Sequence, residues 1–181
     1  MAASEVTPKF NIQLAEGSDA PAIAAMARDL VEYGLPWSWT PLRVARHITN
    51  PDSTVVIARR GPSLVGFAVM HFRDVEAHLY LLAVAPRHQR AGIGKSLLTW
   101  LEKSARVAGI FRIRLEVRTE NRGARSFYRK LGYRPGGVIQ GYYQGRESAL
   151  RLSKRLMKRP NLDLKRQVDR LMRSLPKRIH N

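Results

Sequence analysis

A chain of 181 residues with 44% hydrophobic and 25% charged residues fits one soluble globular domain with a proper core. The absence of cysteine excludes disulfides, thiolate nucleophiles and cysteine zinc sites. No apolar run approaches a membrane span and Met1–Glu5 lacks the regions of a signal peptide, so a cytoplasmic setting is expected. Of the net charge of +18, residues 1–60 contribute none, residues 61–150 contribute +9 and residues 151–181 another +9, a one-sided field suited to polyanions such as phosphorylated cofactors or RNA.

In chain order, Lys9–Ala15 alternates apolar and polar positions and predicts an opening strand. Asp19 is placed to cap a helix running to about Val31, with Ala22, Ile23, Met26 and Leu30 as its apolar face. After the loop Gly34–Trp39, Thr40-Pro41 caps a short helix ending near Thr49. Thr54–Ala58, Leu64–His71 and Ala77–Val84 predict three strands. A helix over about Gly92–Ala108 carries Ile93, Leu97, Leu98, Leu101 and Ala105 on one stripe. A strand, Arg112–Arg118, a helix, about Arg122–Leu131, and two closing strands, Val138–Tyr143 and Ser148–Ser153, complete residues 1–157. This order predicts an α/β fold, a mixed sheet with helices on both faces, antiparallel at first and parallel around one crossover. Pro160 then separates an extension, 158–181, in which Asp163 can cap a basic amphipathic helix with Leu164, Val168, Leu171, Met172 and Leu175 on one face. That helix either docks on the domain or a second copy, or meets a ribosome, RNA or membrane surface.

Gln89-Arg90-Ala91-Gly92-Ile93-Gly94 lies between an apolar strand and an amphipathic helix. A glycine turn there presents unpaired N–H groups at a helix N-terminus, where they bind phosphate. The stretch from Pro86 resembles the acetyl-CoA motif of the GNAT N-acetyltransferases, (Arg/Gln)-x-x-Gly-x-(Gly/Ala). Leu115-Glu116-Val117-Arg118-Thr119-Glu120-Asn121, followed by Ala124, Phe127-Tyr128 and Leu131-Gly132-Tyr133, is similar to the second cofactor motif of that family. The spacing is closest to the RimI-type protein N-terminal acetyltransferases, which modify the N-terminal alanine of a ribosomal protein. Leu35-Pro36-Trp37-Ser38 and Tyr142–Ala149 echo the same pattern.

The resemblance implies a GNAT fold over roughly residues 10–155 and an acetyl-CoA-dependent N-acetyltransferase, with acetyl-CoA as cosubstrate and no metal. By it, the backbone of Leu82, Ala83 and Val84 pairs with the pantetheine arm. The turn Gln89, Arg90, Ala91, Gly92, Ile93, Gly94 and Lys95 holds the pyrophosphate, and Asn121 contacts the cofactor. Glu116 is the general base, through water, and Tyr128 the general acid for the departing thiolate. The carbonyl oxygen finds its donor near Val84. An amine must be neutral to attack a thioester, and an α-amine titrates at pKa ≈ 7.7–8.0, so a base or proton wire fits the chemistry.

Each assignment has a rival. Glu116, on the strand face opposite Ile113, Leu115 and Val117, could instead pair with Arg112, Arg114 or Arg118, which would weaken it as a base. Tyr128 could pack beside Phe127, and Asn121 could simply cap the following helix. His78, at even spacing from Val84 and so on a shared face, is the alternative base; it and His71 read otherwise as structural. Trp37, Trp39, Tyr142 and Tyr143 line the acceptor groove if the first loop meets the last hairpin, and otherwise seal a core edge. The expected acceptor is a protein N-terminal α-amine, attacking directly in a ternary complex. The alternatives are a small-molecule amine (polyamine, aminoglycoside or amino acid) or a GNAT-fold protein that binds RNA or the ribosome through its basic tail. Only 14 Asp and Glu favour a peptide over a polycation. Monomer and homodimer both stay open.

Overall fold

The structure, a computed structural model, describes residues 10–157. The basic helix expected in residues 158–181 lies outside them. Seven strands and four α-helices follow in the order β1 (Asn11–Leu14), α1 (Ala20–Leu30), α2 (Pro41–Thr49), β2 (Ser53–Arg60), β3 (Ser63–Phe72), β4 (Glu76–Val84), α3 (Ile93–Val107), β5 (Arg112–Arg118), α4 (Arg122–Lys130), β6 (Arg134–Tyr143) and β7 (Glu147–Arg155). The strands make one sheet in the order β1-β2-β3-β4-β5-β7-β6. Neighbours pair antiparallel except β4 and β5, which are parallel and joined by the α3 crossover.

The helices cover both faces, each over its own core. On one face α3 buries the expected stripe of Ile93, Leu97, Leu98, Leu101 and Ala105 with Tyr128 of α4. There α3 meets β3 at Gly66, where a Cβ would stand 3.1 Å from the Ala83 carbonyl oxygen and from Ile93. On the other face α1 and α2 pack over Val55, Ile57, Phe67 and Val69. The buried side of α1 is Ala20, Ile23, Ala24 and Ala27, rotated from the stripe expected; Ala22 and Leu30 point outward. Alanines carry little hydropathy signal, yet they let a helix lie close to a sheet.

The two predicted caps diverge. Thr40 has extended backbone and its hydroxyl accepts from the Arg43 N–H at 3.3 Å, as a cap should. Asp19 does not cap α1. Its own backbone is already helical, in a 3-10 turn over Gly17–Asp19, so its buried carboxylate turns back to accept the Glu16 N–H at 2.9 Å and to pair with Arg59. The strand expected from Val138 starts at Arg134 and includes Pro135, which an edge strand tolerates because it has a free side.

Two irregularities in the middle of the sheet shape everything that follows. First, β4 and β5 pair only at Glu76–Arg112, Ala77–Ile113 and His78–Arg114; past His78 they part. Second, Leu79 opposes Met70 while Leu81 opposes Val69, so Tyr80 is the extra residue of a β-bulge. The bulge reverses the alternation of β4. Ala77 and Leu79 face the α3 core, as do Leu82 and Val84 beyond it, whereas Leu81 and Ala83 face the α1 core. His78 and Val84 therefore lie on opposite faces, although their even spacing predicts a shared one.

Candidate active site

The parting of β4 and β5 opens a cavity of about 250 Å³ through the sheet. Its walls are Leu79–Leu82 of β4 and Leu115–Arg118 of β5. Asn121, Ala124 and Tyr128 close it on the α4 side, and Leu30, Val31, Tyr33 and Tyr143 border it on the α1 side. The gap thus joins the two faces of the sheet. Along it the backbone of β4 past His78 has lost its parallel neighbour, leaving an edge to which an extended ligand can bond.

Glu116 lies at the closed end of this gap. It belongs to the face opposite Ile113, Leu115 and Val117, as the alternation predicts, and its side chain is only 4% exposed. The three arginines of its own strand are not its partners. Oε2 accepts from His78 Nε2 at 2.6 Å and from the Tyr142 hydroxyl at 3.3 Å, while Oε1 accepts from Nε of Arg151 at 3.0 Å. Arg151 stands directly across the β5–β7 ladder from Glu116, and His78 is the last β4 residue paired with β5. Burial pushes the Glu116 carboxyl upward, but the hydrogen bonds and charges of His78 and Arg151 outweigh it and hold the group at about 2. Glu116 is therefore a fixed anion at neutral pH.

Tyr128 faces the cavity from α4. It is packed against Phe127 and Tyr133, with ring centroids 5.1 and 5.5 Å away, and among the described residues its hydroxyl has no hydrogen-bond partner. Burial, with a smaller contribution from Tyr143, raises its pKa well above the ordinary tyrosine value, so it carries its proton throughout the physiological range. The ring is packed in the core, as the packing reading expects, and the hydroxyl stands at the cavity wall. Asn121 likewise does two things, since Oδ1 accepts the Ala124 N–H at 2.9 Å as the cap of α4 while the residue lines the cavity.

The glycine turn lies beyond the cavity lining. Gly92 has φ +83°, the left-handed region that disfavours side chains, and Arg90 has φ +65°. The first bond inside α3 runs from the Ser96 N–H to the Gly92 carbonyl at 3.0 Å, so the amides of Ile93, Gly94 and Lys95 point out of the helix end. Gln89 ties the turn back to β4: its Nε2 donates to the Val84 carbonyl at 3.2 Å.

On the α1 side the first loop is held from within by Glu32, a buried carboxylate that accepts from the Ser38 N–H at 2.9 Å, the Ser38 hydroxyl at 2.5 Å and the Trp39 N–H at 3.0 Å. Trp39 is core rather than groove: it is 6% exposed, stacks on His47 at 5.1 Å and lies under the Arg43 guanidinium. Trp37 donates from Nε1 to the Trp39 carbonyl and stays outside the cavity lining. His71 is structural, bonded to Ser53 and stacked on Tyr80.

Of the residues expected from the sequence, Glu116, Tyr128, Asn121, Leu82 and Tyr143 come together around the cavity. Ala83, Val84 and residues 89–95 stand apart from it, along β4 and the turn. Sequence reasoning missed Arg151, Arg118 and Glu32. The first two are legible only through strand register and the third only through loop packing. Among the described residues no three His, Asp or Glu gather as a metal-binding group, and no helix is long and apolar enough to cross a membrane.

Residues 23–133 match the family model of the acetyltransferase (GNAT) family. The chain is 34% identical over 110 residues to the N-alpha-acetyltransferase RimI of Mycobacterium tuberculosis, a match covering 59% of this chain and 68% of that protein. It is 34% identical over 90 residues to the [ribosomal protein bS18]-alanine N-acetyltransferase of Escherichia coli, spanning 48% of this chain and 61% of that one. The crystal structure of the Escherichia coli ribosomal-protein-S18-alanine N-acetyltransferase superposes with a TM-score of 0.72 at 27% identity, covering 84% of this chain and 97% of that one. Ard1 from Thermoplasma volcanium gives 0.73 at 27% identity, over 83% and 99%.

Proposed function

The chain belongs to the acetyltransferase (GNAT) family, and from that premise we propose that it moves acetyl from acetyl-CoA directly to a protein N-terminal α-amine. The observation that carries this reading is the through-sheet cavity with Glu116 at its closed end and Tyr128 on its wall. The residues on its α4 side suit the donor, and those on its α1 side suit the acceptor. The free edge of β4, with Leu82 in the cavity and Ala83 and Val84 beyond, would receive the pantetheine arm. The outward amides of Ile93–Lys95 in the Gln89–Lys95 turn would receive the pyrophosphate, with Asn121 at the cofactor's side. Acetyl-CoA supplies the thioester; the remaining chemistry belongs to side chains.

Glu116 is the proton acceptor, but its timing follows from its acidity. A carboxylate held at about 2 cannot strip a free ammonium ion, whose α-amine form titrates near 7.7–8.0. It can take the proton from the nitrogen once the C–N bond to the acetyl carbonyl has begun to form, because that nitrogen is then far more acidic. The amine thus arrives neutral from solvent and gives its proton to Glu116 as attack proceeds. Tyr128, protonated throughout the physiological range, donates to the sulfur as the C–S bond breaks. A backbone N–H of β4, near Val84 or at the bulge around Tyr80, would face the developing oxyanion.

The charge around the cavity favours a peptide over a polyamine. Among the described residues that line it, Glu116 is the one carboxylate and is already bonded to Arg151; nearby, Glu147 is bonded to Arg118 and Glu32 to the first loop. That leaves no free anion for a second ammonium group, while Leu30, Val31 and Tyr33 offer apolar surface to a side chain. The test is CoA release with a set of N-terminal peptides and with spermidine. Wild type is expected to turn over peptides, and Glu116→Gln to lose about 10²-fold in kcat/KM, the scale of acid–base catalysis. The acidic limb of the pH profile should stay near the amine pKa in both. Preference for spermidine, or a limb that disappears in Glu116→Gln, would overturn the assignment.

A further inference from the structure

The α1 side of the cavity is built from segments distant in the chain: the turn after α1, and the hairpin between β6 and β7. One side chain reaches both. Arg118, the last residue of β5, donates from Nη1 to Glu147 Oε1 at 2.9 Å. Its Nη2 donates to the carbonyl oxygens of Val31 at 3.0 Å and Tyr33 at 2.7 Å. The guanidinium carbon also sits 5.5 Å from the centroid of the Tyr143 ring. The Arg118 side chain is 20% exposed; its bonds to Glu147 and Val31 are part-buried, and the one to Tyr33 is open to solvent.

Each contact has a physical reason. Val31 and Tyr33 lie at the C-terminal end of α1, where carbonyls lack intrahelical partners and the helix dipole is negative. A guanidinium satisfies such carbonyls and still spares a second nitrogen for a carboxylate, because its donors form a rigid planar fork. A lysine ammonium could not span the same set. Arg118 also shares the strand face of Glu116, two residues away, so the carboxylate and the clasp are carried by one piece of backbone.

We propose that Arg118 is a positioning residue for the amine acceptor, clasping the turn after α1 to the β6–β7 hairpin and thereby setting the width of the acceptor mouth. This inference rests on the acetyl-transfer reading above. Arg118 does no chemistry. It fixes Tyr33 and Tyr143 on opposite rims, and with them the approach of the amine to Glu116. The Arg118 guanidinium bonds the turn after α1 and the hairpin, while towards the donor half Arg118 offers only its backbone carbonyl, to the Asn121 N–H at 3.0 Å.

The decisive measurement is a steady-state comparison of wild type, Arg118→Lys, Arg118→Gln and Glu147→Gln, varying the acceptor peptide and acetyl-CoA separately. Arg118→Gln is expected to raise the acceptor KM about tenfold, equivalent to 1.4 kcal/mol, with kcat and the acetyl-CoA KM within about twofold of wild type. Arg118→Lys should rescue little, and Glu147→Gln, which keeps the bonds to Val31 and Tyr33, should shift the acceptor KM by less. A change shared equally by both substrates, or full rescue by lysine, would overturn the proposal. Limited chymotryptic cleavage at the exposed Tyr33 provides a readout independent of the acceptor. It should accelerate in Arg118→Gln and be slowed again by no acetyl-CoA addition; an unchanged rate overturns the clasp. A wild type inactive on every peptide would sink the acceptor reading, and the proteolysis would still decide the role of Arg118.

Discussion

The two sides of the cavity are built by different means. On the side proposed for the donor, regular backbone does the work: the free edge of β4, the left-handed turn at Gly92 and the first amides of α3. On the side proposed for the acceptor, side chains do it: Glu32 folds the first loop around itself, and Arg118 ties that segment to the β6–β7 hairpin. A backbone site tolerates exchange of most side chains and suits a ligand that never changes. A site assembled from side chains can be reset by single substitutions, which suits the substrate that distinguishes one acetyltransferase from another. Between the two lies the group that serves both, Glu116 with His78 and Arg151, where β4 and β5 separate.

The comparison can be broken at its shared centre or sharpened on either side. The largest effect is expected from Tyr128→Phe, which keeps the buried ring and its contacts with Phe127 and Tyr133 but removes the proton donor. Turnover should fall by about 10²-fold or more while the melting temperature, read by thermal denaturation, stays near that of wild type. Gly92→Ala comes next. Forcing a Cβ into φ +83° costs about 1–2 kcal/mol, so the acetyl-CoA KM should rise by roughly tenfold and the acceptor KM should not follow. The smallest effect is expected from Glu32→Gln, whose amide cannot accept all the bonds now made by Ser38 and Trp39. The loop should loosen and the acceptor KM rise by about fivefold, with acetyl-CoA binding by thermal shift untouched. Equal effects on both substrates in either of the last two variants would erase the distinction between the sides.

Much of this was legible in the chain because it is local. The stripe of α3, the alternation of β5, the Thr40 cap and the glycine turn depend on residues within one or two turns of each other, where side-chain periodicity and backbone preference act directly. The motif spacing likewise placed Glu116, Asn121 and Tyr128 in one neighbourhood. It failed where a distant partner outbid a local one. Asp19 looked like a cap, but its backbone is already helical and its carboxylate is shared between the Glu16 N–H and Arg59, 40 residues on. Trp39, open to a groove or a core-edge reading, is packed into the core by Tyr80 and His47.

By itself, then, the sequence determined the order of elements and the family, and it named the candidate groups, since each is written in short-range pattern. Only the tertiary structure decided what those groups can do. The bulge at Tyr80 shifts β4 by one residue and puts His78 on the opposite face from Val84, beside Glu116. The β5–β7 register sets Arg151 against the same carboxylate, and the fork of Arg118 joins the turn after α1 to the β6–β7 hairpin. Register and bulges are fixed by the packing of whole strands, and a pairing across 30 to 90 residues leaves no periodic trace in the chain that makes it.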